Sequence, residues 1–245
     1  MQTLLVHSSG LSGRQWHHLM KALPGPCHAP DLSGYPAGPA WSGGEAWSVD
    51  VAYLLRLIDE MEGPVDLVGH SYGGAIVFRL ALERPDRVRR IVVHDPVLWG
   101  SILSDGEERF KEEMLAFGDS KLLTPENGGD EEWMKLFIEF WGGKGAWTAM
   151  SERHQQAFLQ VGPKVSREVY DLGVDLSPAS TYDGIQAPTM IAMGEESPGV
   201  EQEVCRVLAA RGIDRKLVPI PGGHMSPVTS PRPFIEATVA FLSAP

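Results

Sequence analysis

Val65-Asp66-Leu67-Val68-Gly69-His70-Ser71-Tyr72-Gly73-Gly74 is the stretch on which the reading of the fold turns. The apolar run Val65–Val68 reads as a buried strand, and Ala75–Glu83 reads as a helix. The serine between them stands at a sharp strand-to-helix turn. Gly69 and Gly73, two residues to either side, leave the room such a turn needs, and Gly74 lets the helix lie close to the strand. A turn of this kind lifts a hydroxyl clear of a sheet, a precondition for a serine to act as a nucleophile once a base can reach it. A glycine-rich crossover without chemistry is the plainer reading of the pentapeptide, and the strand and helix flanks argue against it.

A base should follow the serine on a loop after a late strand. His224 has that setting, because the apolar run Leu217-Val218-Pro219-Ile220 leads into Pro221-Gly222-Gly223-His224-Met225. Loops at the carboxyl ends of parallel strands are where ligand chemistry collects. The other seven histidines serve as controls. His17 and His18 are adjacent and point to different sides of a helix, which makes them a poor metal pair. His28 and His154 read as surface or packing residues, and His70 is the variable position of the turn. His7 and His94 end apolar runs and are better placed to orient other groups than to act as bases.

Outward from the turn, strands alternate with helices, the pattern of a parallel sheet covered on both faces. Six strands are expected: Thr3–His7, His28–Asp31, Val65–Val68, Val88–His94, Thr189–Met193 and Lys216–Ile220. The helices between them are expected at Gln15–Leu23, Ser48–Met61, Ala75–Glu83, Val200–Ala210 and Pro233–Leu242. Residues 97–186 are too long for a plain crossover and read as four helices, Arg109–Phe117, Glu131–Trp141, Trp147–Gln160 and Lys164–Leu172. The expected organisation is an α/β core at 1–96 and 187–245 interrupted by a helical insertion at 97–186. That insertion holds Trp99, Trp133, Trp141 and Trp147, four of the seven tryptophans, with Phe110, Met114, Phe117, Phe137, Phe140 and Phe158. Packing inside a small helical block explains any one of them, while together they suggest an apolar, aromatic-lined pocket. Trp99, Trp133 and Trp141, with Met225 beside His224, are the candidate substrate contacts.

On these features the chain resembles an α/β-hydrolase fold serine hydrolase along nearly its whole length. Leu4-Leu5-Val6-His7-Ser8-Ser9-Gly10 resembles the family's first strand and oxyanion loop, and Ala29-Pro30-Asp31-Leu32-Ser33-Gly34-Tyr35 the loop after the next strand. Ile91-Val92-Val93-His94-Asp95-Pro96 and Pro188-Thr189-Met190-Ile191-Ala192-Met193-Gly194 resemble the strands after the nucleophile and before the base. The resemblance implies Ser71 as nucleophile, His224 as base, and the N–H groups of Tyr72 and Ser9 as oxyanion donors. The chain departs from the pattern at Ser8, where glycine is common. It departs again at Ser197, which occupies the family's usual acid position and carries no carboxylate. The acid is then Asp95, at the end of the strand after the nucleophile, or Glu196 or Glu195 beside Ser197, or is absent. Residues 97–186 resemble the family's helical cap.

The implied activity is cleavage of a carboxylic ester or related acyl bond in a small, largely apolar molecule. Carbon–carbon bond hydrolysis, lyase, perhydrolase or cofactor-free oxygenase chemistry, and a small-molecule receptor role, are the alternatives on the same fold. No metal-ligand pattern or organic cofactor is implied. A length of 245 residues, 43% hydrophobic, can bury a full core. The net charge is −11, and residues 100–145 carry eleven acidic against five basic side chains. Without a basic patch, a nucleic-acid partner is not expected. No apolar stretch has the length of a membrane span, and the N-terminus lacks a signal-peptide pattern. Two distant cysteines, Cys27 and Cys205, fit a reduced, cytoplasmic setting.

Overall fold

β-Branched and leucine-rich runs that are apolar on both faces require cover on both sides, and the sheet supplies the frame for it. The computed structural model describes residues 1–118, 120–124 and 128–244, the side chains of 116 and 117 excepted. The strands are β1 (Gln2–Val6), β2 (Cys27–His28), β3 (Val65–His70), β4 (Val88–His94), β5 (Thr189–Gly194) and β6 (Arg215–Ile220). They form one six-stranded sheet in the order β2-β1-β3-β4-β5-β6. Every neighbouring pair is parallel. The helices are α1 (His17–Ala22), α2 (Ala46–Glu60), α3 (Tyr72–Glu83), α4 (Gly100–Asp105), α5 (Glu108–Phe117), α6 (Glu131–Gly142), α7 (Ala146–Ala149), α8 (Glu152–Val174), α9 (Gly199–Ala210), α10 (Ser226–Thr229) and α11 (Arg232–Leu242).

Alternation along each strand sorts the core into two layers. Leu4, Leu67, Ile91, Val93 and Ile191 pack on one face with residues of α2, α3 and α9. Leu5, Val68, Val92 and Met190 pack on the other with Trp16, Leu19, Phe234 and Leu242. Order reverses where β1 is flanked by β2 on one side and β3 on the other, so a crevice opens at the strands' carboxyl ends. Register makes those ends level: His70 pairs with His94, and His94 with Ala192. Ser71 and Asp95, one residue further on, are therefore neighbours by construction.

Two expected elements differ. β2 covers only Cys27–His28 rather than His28–Asp31. Pro30 cannot donate to a ladder, and the Asp31 carboxylate instead accepts the N–H groups of Gly13 (2.8 Å) and Ala37 (3.1 Å), which ends the strand. In the insertion, the two helices expected at Trp147–Gln160 and Lys164–Leu172 are instead the short α7 and one 23-residue α8 that runs through Pro163. A proline inside a helix costs about 3 kcal/mol through its missing N–H and ring clash. Burial of Val161, Val165, Val169 and Leu172 along one face of α8 offsets it. Gly162 lies so close to Gly129 that a Cβ there would sit 2.2 Å from the Gly129 carbonyl oxygen. Among the described residues, no helix is long and apolar enough to cross a membrane.

Candidate active site

Ser71 caps α3 with φ 56° and ψ −122°, a conformation that side-chain-bearing residues avoid and that costs of order 1–3 kcal/mol. The surrounding backbone holds it there. Ser71 N–H donates to the His94 carbonyl (3.0 Å), and its own carbonyl accepts from Ala75 N–H (3.1 Å). A Cβ on Gly69 would lie 2.4 Å from the Gly73 carbonyl oxygen, and one on Gly73 would lie 2.2 Å from that of Val6, so neither position admits a side chain. Tyr72 is the first residue of α3, where backbone donors lack intrahelical partners.

His224 and Asp95 meet behind this turn. His224 Nδ1 lies 3.3 Å from Asp95 Oδ2, close enough for an ion pair but outside hydrogen-bond alignment. Resting geometries of this kind commonly tighten only with substrate in place. The Asp95 carboxylate is buried and accepts Gly194 N–H on Oδ1 (3.0 Å) and the Ser197 hydroxyl on Oδ2 (2.6 Å). Burial opposes its ionisation, but the His94 and His224 imidazoles and the Ser197 hydroxyl outweigh that and hold its pKa well below the usual carboxylate range. Ser197, at the family's usual acid position, thus donates to Asp95. Glu195 and Glu196 are both exposed, and they join the turn through their main-chain N–H groups, which donate to the carbonyls of Ile220 and Gly222. Both side chains are exposed, while Asp95 is the carboxylate that lies against His224.

Two further imidazoles, His70 and His94, lie against the pair, and sequence reading gave His70 and Gln15 no role there. Ser8 N–H donates to Gln15 Oε1 (3.1 Å), Gln15 Nε2 donates to His70 Nδ1 (2.9 Å), and His70 Nε2 donates to the His224 carbonyl (2.7 Å). The His224 carbonyl can only accept, so it fixes the His70 tautomer, and the chain ties the first loop to His224. Burial, followed by the neighbouring His224 and His94, pushes the His70 pKa well below its ordinary value, which keeps that polarity. His7 works alike: Nε2 accepts Leu32 N–H (3.0 Å) and Nδ1 donates to the Ser8 carbonyl (2.9 Å). His94 Nε2 lies 3.4 Å from Asp95 Oδ2, as an orienting neighbour. Among the described residues, the positive-φ non-glycines are Ser71 and Asp95, so the Cβ of Ser8 imposes no strain on the loop.

Above Ser71 is a cavity of about 10 Å³, lined by Ser9, Ser71, Val97, Trp99, Phe140 and Trp141 together with four more apolar residues. That volume holds about one water. The Trp141 ring of α6 stacks on His224 with centroids 3.9 Å apart and planes 22° apart. Trp99 reaches the lining with its indole N–H donated to Glu201 Oε1 (2.5 Å). Trp133 does not line the cavity: it stacks on Phe137 at 5.5 Å, and its N–H donates to the Leu122 carbonyl (3.3 Å) inside the helical block. Met225 also lies outside the lining, and its carbonyl accepts the N–H groups of Val228 and Thr229 in α10. Leu122, Val169 and Leu172 line the cavity without having stood out in the sequence, and Phe117 lies outside the described side chains.

A strained serine, a buried histidine and a buried carboxylate at one edge of a parallel sheet agree with the family comparison. The model of the alpha/beta hydrolase family matches residues 3–237, and the chain belongs to that family. Among curated relatives, Lipase LipV of Mycobacterium tuberculosis is 42% identical over 101 residues, spanning 40% of this chain and 38% of that protein. The 2-hydroxy-6-oxo-2,4-heptadienoate hydrolase of Pseudomonas putida is 36% identical over 114 residues, 42% of this chain and 40% of that protein. These matches therefore span about two fifths of each relative's length. A solved hydrolase from Pseudomonas aeruginosa superposes with a TM-score of 0.75 at 20% identity, covering 99% of this chain and 90% of that one. A thermophilic esterase from Thermogutta terrifontis gives 0.70 at 21%, covering 99% and 89%. At such identities the superpositions speak to the fold.

Proposed function

We propose that the protein is a serine hydrolase that cleaves a carboxylic ester or related acyl bond of a small, largely apolar molecule. The observation that carries this reading is Ser71 held at its strained turn and lining an apolar cavity with Trp141, whose ring stacks on a His224 that faces Asp95. His224 takes the Ser71 proton as Oγ attacks the acyl carbonyl, and the Tyr72 and Ser9 N–H groups hold the developing oxyanion. His224 then protonates the leaving alcohol, and water, activated by the same imidazole, releases the acyl group. Asp95 holds the His224 tautomer that makes this possible. Helices α4 to α8 act as the cap, and Trp141 must leave His224 for any molecule larger than water to enter. Similarity to Lipase LipV supports the ester reading.

Carbon–carbon bond hydrolysis is the second reading, favoured by the similarity to 2-hydroxy-6-oxo-2,4-heptadienoate hydrolase. Against it, the cavity lining has no charged side chain to receive an anionic substrate. Turnover of p-nitrophenyl esters of increasing chain length by wild type and Ser71→Ala tests the proposal. Ester hydrolysis lost in the variant by several orders of magnitude is the expected result. Esters left untouched by wild type would move the second reading ahead.

A further inference from the structure

Both arms of the proposed oxyanion hole lead, side chain by side chain, to one buried ammonium group. On the first arm, the Tyr72 hydroxyl donates to Asp50 Oδ2 on α2 (2.8 Å). Ser33 fixes the other Asp50 oxygen with its N–H (3.0 Å) and hydroxyl (2.5 Å). On the second, Gly10 N–H donates to the Tyr35 hydroxyl (2.8 Å), which donates onward to Glu168 Oε2 of α8 (3.0 Å). The nearby Ser9 side chain also favours the ionised form of Glu168. Lys164, one turn before Glu168, closes the circuit by donating to Asp50 Oδ2 and to Glu168 Oε1, each at 2.7 Å.

All three charged groups are buried, at 0% exposure for Asp50 and Glu168 and 2% for Lys164. Interior ion clusters add little net stability compared with apolar residues of similar volume, so stability is a poor account of this one. What it supplies is direction. Desolvation opposes the charge on Lys164, but Glu168 and Asp50 outweigh it and raise its pKa, so the ammonium persists. The cluster joins the Ser9-Gly10 turn, the Tyr35 loop, α2, the residue after the nucleophile and the inserted helix α8. Those are the segments whose relative position sets the spacing of the two amide donors.

We propose that Lys164 and Glu168 are positioning residues for the oxyanion hole, acting through Tyr35 on the Ser9-Gly10 turn and through Asp50 on Tyr72. Docking of α8 is then what completes the oxyanion site. The inference rests on the reading of Ser71 as nucleophile given above.

Tyr35→Phe is the cleanest test. It deletes one hydroxyl, leaves the ring packed edge-on against His7 at 4.7 Å, and strands Gly10 N–H. Glu168→Gln is its companion, because it keeps shape while halving the acceptors offered to Lys164 and Tyr35. Each variant should lose about 10- to 100-fold in kcat, with KM within about threefold, as expected when transition-state donors are misplaced. Affinity for an alkyl boronic acid, which forms a tetrahedral adduct on Ser71, should fall by the same factor. Variants that melt at a lower temperature yet keep kcat and boronate affinity within about twofold of wild type would overturn the inference and leave the cluster a packing feature. Labelling of wild-type Ser71 by a fluorophosphonate separates the two levels. Unlabelled wild type overturns the nucleophile reading and this inference with it, while labelled wild type with unchanged variants overturns the inference alone.

Discussion

Asp95→Asn isolates the part of the site that sequence left most open. Asp95 Oδ1 accepts Gly194 N–H, a main-chain donor that cannot reverse, so the oxygen of an asparagine must stay there. Its amide nitrogen then takes the place of Oδ2, facing Ser197 Oγ and His224 Nδ1. Ser197 can turn its hydroxyl to accept. His224 must also present Nδ1 as an acceptor, which puts its proton on Nε2 and removes its capacity to take the proton of Ser71. Enforcing the wrong tautomer at such a triad costs about 10⁴-fold in kcat, close to 5.5 kcal/mol of transition-state stabilisation. KM should change little, because Asp95 does not line the cavity. The assay is steady-state hydrolysis of a p-nitrophenyl ester by wild type, Asp95→Asn and Glu196→Gln. Asp95→Asn activity within tenfold of wild type, or a collapse confined to Glu196→Gln, would refute the reasoning.

Trp141→Ala removes the ring stacked on His224; an aromatic contact of this kind is worth about 0.5–1.5 kcal/mol, so fluorophosphonate labelling should quicken by about 2- to 10-fold if stacking keeps the cavity closed. Unchanged labelling kinetics would place the entry elsewhere. Stability should fall in mild acid, because burial pulls the His7 pKa from 6.5 down to about 4. Between those values the unfolded chain binds a proton that the folded one does not, so stability present at pH 7 is lost as pH falls, by about 2 kcal/mol at pH 5 from His7 alone. Urea unfolding at the two pH values checks this, and His7→Gln should shrink the difference by about that amount, leaving the share of the other buried imidazoles, His70 and His94. Gly73→Ala forces a Cβ against the Val6 carbonyl and should cost at least about 2 kcal/mol in the same unfolding assay.

Much of this architecture is legible in sequence because apolar runs stop abruptly at glycine or proline, as β4 does before Asp95-Pro96. β4 was expected and found at Val88–His94, and the turns at Ser71 and His224 follow apolar runs closed by Gly69 and by Gly222-Gly223. The acid was harder. Asp95, Glu195 and Glu196 all follow apolar strands, and only the register of β4 beside β5 separates the buried carboxylate from the two exposed ones. Trp133 and Trp141 look alike on an amphipathic α6, since periodicity identifies a buried face but not whether that face meets a cavity or its own block. The Asp50–Lys164 contact spans 114 residues, and Lys164 with Glu168 reads from spacing as a solvated i,i+4 pair. Nothing local shows that both side chains are buried. Pro163 likewise suggests a break that tertiary packing overrides.

Ser71 as an assembled nucleophile is open to a chemical test. Intact-mass measurement of the protein after exposure to a fluorophosphonate, with peptide mapping and Ser71→Ala as control, tests it most directly. One adduct per chain, located on Ser71 and absent from the variant, is the expected result. Folded wild-type protein that takes up no adduct, or an adduct that persists in Ser71→Ala, would contradict it.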